Sequence, residues 1–269
     1  MEYADFLLQE EKSVRTREKY LRDVKQFLCW LGKRSISKTE VLAYKDYLLT
    51  RYTVSSVNSK LSALNNYLDF MGRGECRVKT VRHQRKFFCD TDKELTRDEY
   101  RRLIDAARGD PRLCLLMQTI CTTGIRVSEH RFITVEAARL GYAEVRLKGK
   151  CRQVLLPRVL CRELLRYARK QQITQGSIFI TAGGKPMDRS NIWSEMKKLC
   201  TAAGLPREKV FPHNLRHLFA RTYYSQERDI VRLADILGHA SINTTRIYTV
   251  ESGAVHRRQI EKLPLLFTT

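Results

Sequence analysis

His213-Asn214-Leu215-Arg216-His217, then Leu237-Gly238-His239, then Ile247-Tyr248-Thr249: this run near the C-terminus decides how the chain is read. A folding core has little use for imidazoles, a guanidinium and a phenol recurring in so short a stretch. The same groups suit a site that grips a phosphodiester, deprotonates a tyrosine and attacks phosphorus.

The rest of the composition is compatible with such a site. At 269 residues, 43% of them hydrophobic, the chain is long enough for two modest domains. Its formal net charge is +21, with Lys and Arg spread along the whole sequence, so a broad positive surface and a polyanionic partner are expected. There is no long uninterrupted apolar span, signal-like segment or lipidation motif, which favours nucleic acid over a lipid surface. The eight cysteines, at positions 29, 76, 89, 114, 121, 151, 161 and 200, form no C-x-x-C pair, and several sit in apolar helical patterns as small hydrophobes. That usage reads as a reduced, cytoplasmic protein. His213 and His217 have no thiol or carboxylate beside them, so no structural metal is expected. Gly183-Gly184-Lys185 lacks the earlier glycine of a phosphate-binding P-loop, and Pro186 stands where that motif needs Ser or Thr. No cofactor is expected either.

Periodicity divides the chain. Tyr20, Val24, Phe27, Leu28 and Leu31 recur at helical spacing before Gly32. Ser37-Lys38-Thr39-Glu40 reads as a capping box ahead of Val41, Leu42 and Tyr47-Leu48-Leu49, and Val57, Leu61, Leu64 and Leu68 share one helix face that ends near Gly72. Residues 1–75 therefore predict a small all-α, DNA-binding bundle, with Lys60 on its outer surface. Residues 76–93 read as a basic interdomain linker, because periodicity fails where Arg73, Arg77, Lys79, Arg82, Arg85 and Lys86 crowd together. Arg73, Arg82, Lys86 and Lys60 are the candidate DNA contacts. A second domain, 94–269, opens on the capping box Thr96-Arg97-Asp98-Glu99, followed by helical spacing at Leu103, Ile104 and Ala107 and again through Leu113, Leu116, Met117 and Ile120, stopping at Thr123-Gly124. Ile125 to Glu129 predicts another helix start, with Arg126 near its amides. Tyr142 to Pro157 predicts a β-hairpin with Lys148 at its tip, Ile178-Phe179-Ile180 a further short strand, and helices resume at 192–202, 215–224 and 230–237. The fold class is mainly α with a small β-sheet.

Four segments in order then resemble one family, the tyrosine recombinases of the phage-integrase and Xer-like type. Thr123-Gly124-Ile125-Arg126-Val127-Ser128-Glu129 resembles its first-arginine motif, Leu147-Lys148-Gly149-Lys150 its hairpin lysine and His213-Asn214-Leu215-Arg216-His217 its H-x-x-R box. Leu237 to Tyr248 resembles its nucleophile-bearing segment. Each is weak alone; four in sequence at family-like intervals are specific. The resemblance implies a helical core-binding, SAM-like domain and an α+β catalytic domain that clamp double-stranded DNA, acting as a homotetramer on two duplexes without the extra N-terminal domain of larger integrases. His130 departs from the pattern, since an apolar residue usually follows the glutamate; it either loosens packing under Arg126 or points to solvent.

The chemistry assigns roles. Arg126 and Arg216 are rigid forked donors suited to the nonbridging oxygens. Tyr248 is the nucleophile, and because a phenol titrates near pKa ~10 it needs help, for which His213 is the candidate. Lys148 is the candidate general acid for the departing 5′-oxygen, His239 a hydrogen-bond donor to the phosphate, and Glu129 an orienting group for Arg126 or His213. Attack leaves a 3′-phosphotyrosyl link and a 5′-hydroxyl, so rejoining needs neither metal nor ATP. His217 and His256 are read as structural or exposed, and Asp90, Asp92 and Glu94 as a solvated entry to the second domain. The expected activity is site-specific DNA recombination, for integration, excision or inversion of a mobile element. A type IB topoisomerase-like relaxase and a catalytically impaired DNA-binding module are the alternatives. The segment His256 to Leu266 reads as an amphipathic tail, docked on a neighbouring protomer as in the family or packed on its own domain.

Overall fold

The computed structural model describes residues 2–82, 93–147, 150–239 and 241–248. Contacts divide the chain into two compact units, Met1–Arg85 and Lys86–Thr269.

The first unit is helical. α1 (Tyr3–Gln9), not singled out by periodicity, places Tyr3 and Leu7 against Val24 of α2 (Val14–Leu31). α3 (Lys38–Leu49) and α4 (Val54–Phe70) complete it. Ser13, Ser37 and Thr53 cap the starts of α2, α3 and α4 with their hydroxyls, each accepting a backbone N–H two or three residues into the helix. The capping box expected at Ser37 is only half made, because the Glu40 carboxylate binds Arg34 at 2.7 Å instead of turning back. Phe27, Leu31, Val41, Tyr44, Leu48, Val57, Leu61, Leu64 and Leu68 form the core, each worth roughly 1.5–3 kcal/mol of burial.

Residues 76–82, assigned by sequence to a linker, lie on this unit. Cys76 and Val78 enter its core. Two asparagines spaced two turns apart on α4 hold the backbone: Asn65 accepts from Val78 N–H at 3.0 Å and donates to Val78 C=O at 2.8 Å, while Asn58 does the same for Val81 at 2.8 and 2.9 Å. A side-chain amide reproduces the donor and acceptor pair of a neighbouring strand, so a basic stretch without periodicity is still fastened.

In the second unit α5 (Arg97–Ala106) begins on the full Thr96/Glu99 capping box. α6 (Pro111–Thr123) starts with Asp110 as cap and Pro111 in the first turn, where a missing N–H costs nothing, and it stops at Gly124, φ +65°. Ile125 to Glu129 does not open an α-helix; a 3-10 turn, Val127–Phe132, forms instead, then α7 (Val135–Leu140). β1 (Tyr142–Leu147) and β2 (Lys150–Leu155) pair antiparallel from Tyr142↔Leu155 to Leu147↔Lys150, turning Ala143, Val145 and Val154 inward. The expected strand at Ile178 is absent among the described residues. That backbone makes only isolated bridges instead, Thr134↔Ser177 and Ile180↔Pro186. After α8 (Arg158–Lys170), the helix expected over 192–202 divides at Leu199 into α9 (Arg189–Lys198) and α10 (Cys200–Ala203). α11 (Pro212–Glu227) runs beside α6, followed by α12 (Ile230–Leu237), α13 (Ile242–Thr245) and a 3-10 turn, Arg246–Tyr248.

The cysteines among the described residues are free thiols. Among those residues no helix is long and apolar enough to cross a membrane.

Candidate active site

Arg216 is the centre of the site. Its residue is 1% exposed, yet its charge is compensated. The last carbonyls of a helix have no partner within that helix and carry the negative end of its dipole. Two such ends point at Arg216: Nη1 donates to Gly124 C=O, closing α6, at 2.5 Å, and Nη2 to Leu237 C=O, closing α12, at 2.8 Å. Nη2 also meets His239 Nε2 at 2.9 Å. The guanidinium also hydrogen-bonds the Tyr248 side chain, so the candidate nucleophile is tied directly to the buried charge. Burial, then Arg126, pull its pKa down to about 10 against the opposing pull of Tyr248 and Glu129, so it stays cationic at neutral pH.

Arg126 precedes the 3-10 turn, and its side chain is 41% exposed. Glu129, 1% exposed, accepts from both its backbone N–H (2.8 Å) and its Nη1 (2.9 Å), and Arg126 Nη2 reaches Gly238 C=O at 3.3 Å. The second support of Glu129 is Arg152, which sequence reading overlooked: Nη2 donates to Glu129 Oε2 at 2.6 Å and Nη1 to Ile236 C=O at 2.6 Å. Burial disfavours the Glu129 charge, but Arg152 and the bonds from Arg126 outweigh it and hold the carboxyl below its usual range. Of the two orienting duties expected of Glu129, the geometry supplies the one toward Arg126. Arg152 had a readable signal, since it alternates with Val154 and Leu156 on the inward side of its strand, where a lone basic group needs an acid.

His239 is held on both ring nitrogens. An arginine cannot accept a hydrogen bond, so Nε2 must accept from Arg216, and Nδ1–H then donates to Thr245 Oγ1 at 2.8 Å. The ring is neutral: burial first, then Arg216, Arg126 and Arg152, push its pKa down to about 4. His239 is thus an acceptor toward Arg216, held by the buried Thr245, a residue with no signal of its own in the sequence.

Tyr248, 4% exposed, packs with Ala220, Leu233 and Leu237. Its ring stacks on His239 at 5.9 Å between centroids and meets His217 edge-on at 4.7 Å; His217 in turn meets His213 at 4.6 Å. His217, expected to be structural or exposed, is therefore half-buried between the candidate base and the candidate nucleophile. Burial, then His213 and Arg216, lower its pKa to about 4. His213 is exposed at the first turn of α11, and crowding by neighbouring atoms, then Arg216, Arg126 and Arg189, hold it below the usual histidine value. It is neutral and able to take a proton.

His213, Arg216 and Arg126 line one cleft of about 290 Å³ together with Ser128, Arg189 and Trp193. His130 turns inward rather than to solvent, with Nδ1 at 2.5 Å from Val127 C=O and its ring near Phe179. Burial keeps it below the usual histidine pKa, hence neutral, and Arg126 stays anchored beside it. Lys148, Lys86, His256, Asp90, Asp92 and the tail lie outside the described residues, and Glu94 pairs with Arg221. The DNA contacts expected in the first unit differ among themselves. Lys60 is not a free surface charge, because Gln26 (2.5 Å) and Asp23 (3.5 Å) hold its amine. Arg73 is exposed but donates to Ile36 C=O, and Arg82 is exposed. No group of three His, Cys, Asp or Glu able to hold a metal occurs among the described residues.

Comparison with known proteins places this geometry. The phage integrase family matches residues 93–253, and the phage integrase N-terminal SAM-like domain matches residues 1–74. The tyrosine recombinase XerA of Pyrococcus furiosus is 30% identical over 98% of this chain and 93% of its own length. A crystal structure of XerA recombinase superposes with TM-score 0.55 at 26% identity, covering 98% of this chain and 97% of that one. A lambda integrase (75–356) dimer bound to a COC′ core site shares the fold at TM-score 0.73 and 19% identity over 91% of this chain and 92% of that one. With both halves of the chain matched in order, and Arg126, Arg216 and Tyr248 drawn to one place, the chain belongs to the phage integrase family of tyrosine recombinases.

Proposed function

We propose that the chain is a site-specific DNA recombinase that cleaves and rejoins double-stranded DNA through a 3′-phosphotyrosyl link to Tyr248. The observation that carries this is the packing of Tyr248 beside a buried, fully charged Arg216, with neutral His213 and His239 around them and Arg126 on the rim of the same cleft.

The reaction follows from those groups. A scissile phosphate entering the cleft is met by the Arg216 guanidinium, where it competes with the Tyr248 phenol, and by the exposed fork of Arg126, so its negative charge is offset as it grows in the transition state. The phenolic proton of Tyr248 passes toward neutral His213, with the His217 ring between the two, and the oxygen attacks phosphorus. The 5′-oxygen leaves with a proton from Lys148 at the hairpin turn. An anion between Arg216 and His239 competes for the guanidinium, which frees Nε2 of His239 to take up a proton and donate to the phosphate. Bond energy is conserved in the phosphotyrosine, so a second 5′-hydroxyl can reverse the step.

The relatives' names support a recombinase over a relaxase. The chain is taken to work in the cytoplasm as a homotetramer on two duplexes, with residues 1–75 and 94–269 as its binding and catalytic domains, and to move a mobile element by integration, excision or inversion. Arg82, Arg73 and Lys86 remain the candidate backbone contacts in the first part of the chain, and the charge of +21 supplies the attraction. An apolar groove of about 670 Å³ between α5, α8 and α11, lined by Tyr100, Ile104, Val159, Leu218 and Phe219, is a candidate seat for the tail of a neighbouring protomer. The test is a plasmid bearing two copies of a duplex that the protein enriches from a random-sequence pool. Exchange between the copies, lost in Tyr248→Phe, supports the reading; relaxation of plasmid without exchange contradicts it.

A further inference from the structure

We propose that Arg152 is a positioning residue for the strand-cleavage step, fixing Arg126 through Glu129 and tying the base of the β-hairpin to the loop that carries His239. The inference rests on the recombinase reading above.

Three elements meet at its side chain. From β2, Nη2 binds Glu129 Oε2 at 2.6 Å, and Glu129 Oε1 in turn holds Arg126 Nη1 at 2.9 Å. Nη1 binds Ile236 C=O in the last turn of α12, two residues before Gly238. The side chain lies so close over Gly238 that a Cβ there would fall inside it, 2.6 Å from Nε; at φ +63° only glycine is at ease in any case. Gly238 C=O closes the circuit by accepting from Arg126 Nη2, and His239 follows directly. The side chain is 15% exposed, but its Nε is buried and has no hydrogen-bond partner. A structure that only needed β2 in place would put an aliphatic residue here, as at Val154, and avoid an orphaned N–H.

The arrangement has a chemical consequence. Glu129 faces Arg126, Arg152 and, further off, Arg216. Oε1 binds Arg126 Nη1, and Oε2 is shared by the Arg126 backbone N–H and Arg152 Nη2, so three bonds hold the carboxylate and the Arg126 fork keeps one direction. Without Arg152 the anchor on Glu129 from outside its own turn is gone, its two remaining bonds both come from Arg126, and the fork loses its fixed aim at the phosphate.

The test compares single-turnover formation of the covalent adduct on a pool-enriched duplex with an ordinary phosphate and on the same duplex with a 5′-bridging phosphorothiolate, whose leaving group needs no proton. A misplaced group near the chemistry costs on the order of 10²-fold, and that loss is expected for Arg152→Ala on both duplexes, with DNA affinity far less affected. Arg152→Lys, which keeps the charge but not both bonds, should fall between wild type and Arg152→Ala, and serves if the alanine variant does not fold. Arg152→Ala in a Glu129→Gln background should cost almost nothing further. An unchanged rate, a loss that multiplies with that of Glu129→Gln, or recovery on the phosphorothiolate alone would each overturn the proposal. Absence of adduct from the wild-type chain would instead overturn the recombinase reading, and this inference with it.

Discussion

Replacing Arg216 by alanine should damage the protein twice, whereas replacing Arg126 should damage it once. The two guanidiniums are equivalent in the reaction scheme but not in the fold. Arg216 satisfies the terminal carbonyls of α6 and α12 in a site with almost no solvent contact. Its loss orphans both, at about 1–3 kcal/mol per buried acceptor, so about 2–6 kcal/mol in all, before the lost contact with His239 is counted. For a unit of this size that is a fall of roughly 4–24 °C in melting temperature. Arg126 is half exposed, and its partner Glu129 keeps Arg152, so Arg126→Ala should cost about 1 kcal/mol. Cleavage should fall by roughly 10³ to 10⁵ in either variant, the range for arginines that stabilise phosphoryl transfer in other enzymes. Urea unfolding followed by tryptophan fluorescence, beside adduct formation, separates the effects. If Arg216→Ala unfolds at the wild-type midpoint, or Arg126→Ala is destabilised as much, the assignment of Arg216 as a joint between helix ends is wrong.

Other perturbations test other parts of the account. Lys148→Ala should cleave an ordinary duplex slowly and recover on a 5′-bridging phosphorothiolate; no recovery would remove Lys148 from the leaving-group step. His217 and His239 have pKa values of about 4 when folded against 6.5 ordinarily, so between those values the unfolded chain binds protons that the folded chain refuses. Stability is thus fully present above pH 6.5 and lost as pH falls toward 4, and thermal melts of His217→Phe should show a shallower acid slope than wild type. Asn58→Ala and Asn65→Ala should each cost about 1–3 kcal/mol and speed hydrogen exchange at the Val81 and Val78 amides, respectively; unchanged protection would mean that the clamp on residues 76–82 is incidental. Truncation after Gly253 should weaken tetramer assembly on paired sites while leaving binding to one site intact, and unaffected assembly would place the tail on its own unit.

Much of this was legible in residues because it depends on local spacing. Helix faces such as Val57, Leu61, Leu64 and Leu68, the Thr96 capping box, the Gly124 stop and the alternation of β1 and β2 are properties of a few neighbouring positions, and they form as read. The candidate groups of the site could be named only in combination, because a lone histidine after a glycine or a lone arginine has ordinary structural uses, whereas four segments in order resemble one family. What escaped depends on distance in space. Arg152 meets Glu129 across twenty-three positions, and Thr245 is needed only because His239 curls back over it. Neither relation leaves a periodic trace. The linker reading of residues 76–82 missed because asparagine amides can bind an irregular segment without any apolar pattern. His217 was set aside because a half-buried imidazole is usually structural. Only the fold shows that its neighbours on either side are His213 and Tyr248.

The central claim is that Tyr248 forms the covalent bond to DNA, and peptide mapping of the adduct tests it most directly. The wild-type chain is trapped on a nicked duplex, the DNA is trimmed with nuclease, and the modified peptide is sequenced by mass spectrometry. The account predicts a nucleotide 3′-phosphate on the phenol of Tyr248 and a free 5′-hydroxyl on the released strand. A modification on any other tyrosine, or a released strand bearing a 5′-phosphate, contradicts it.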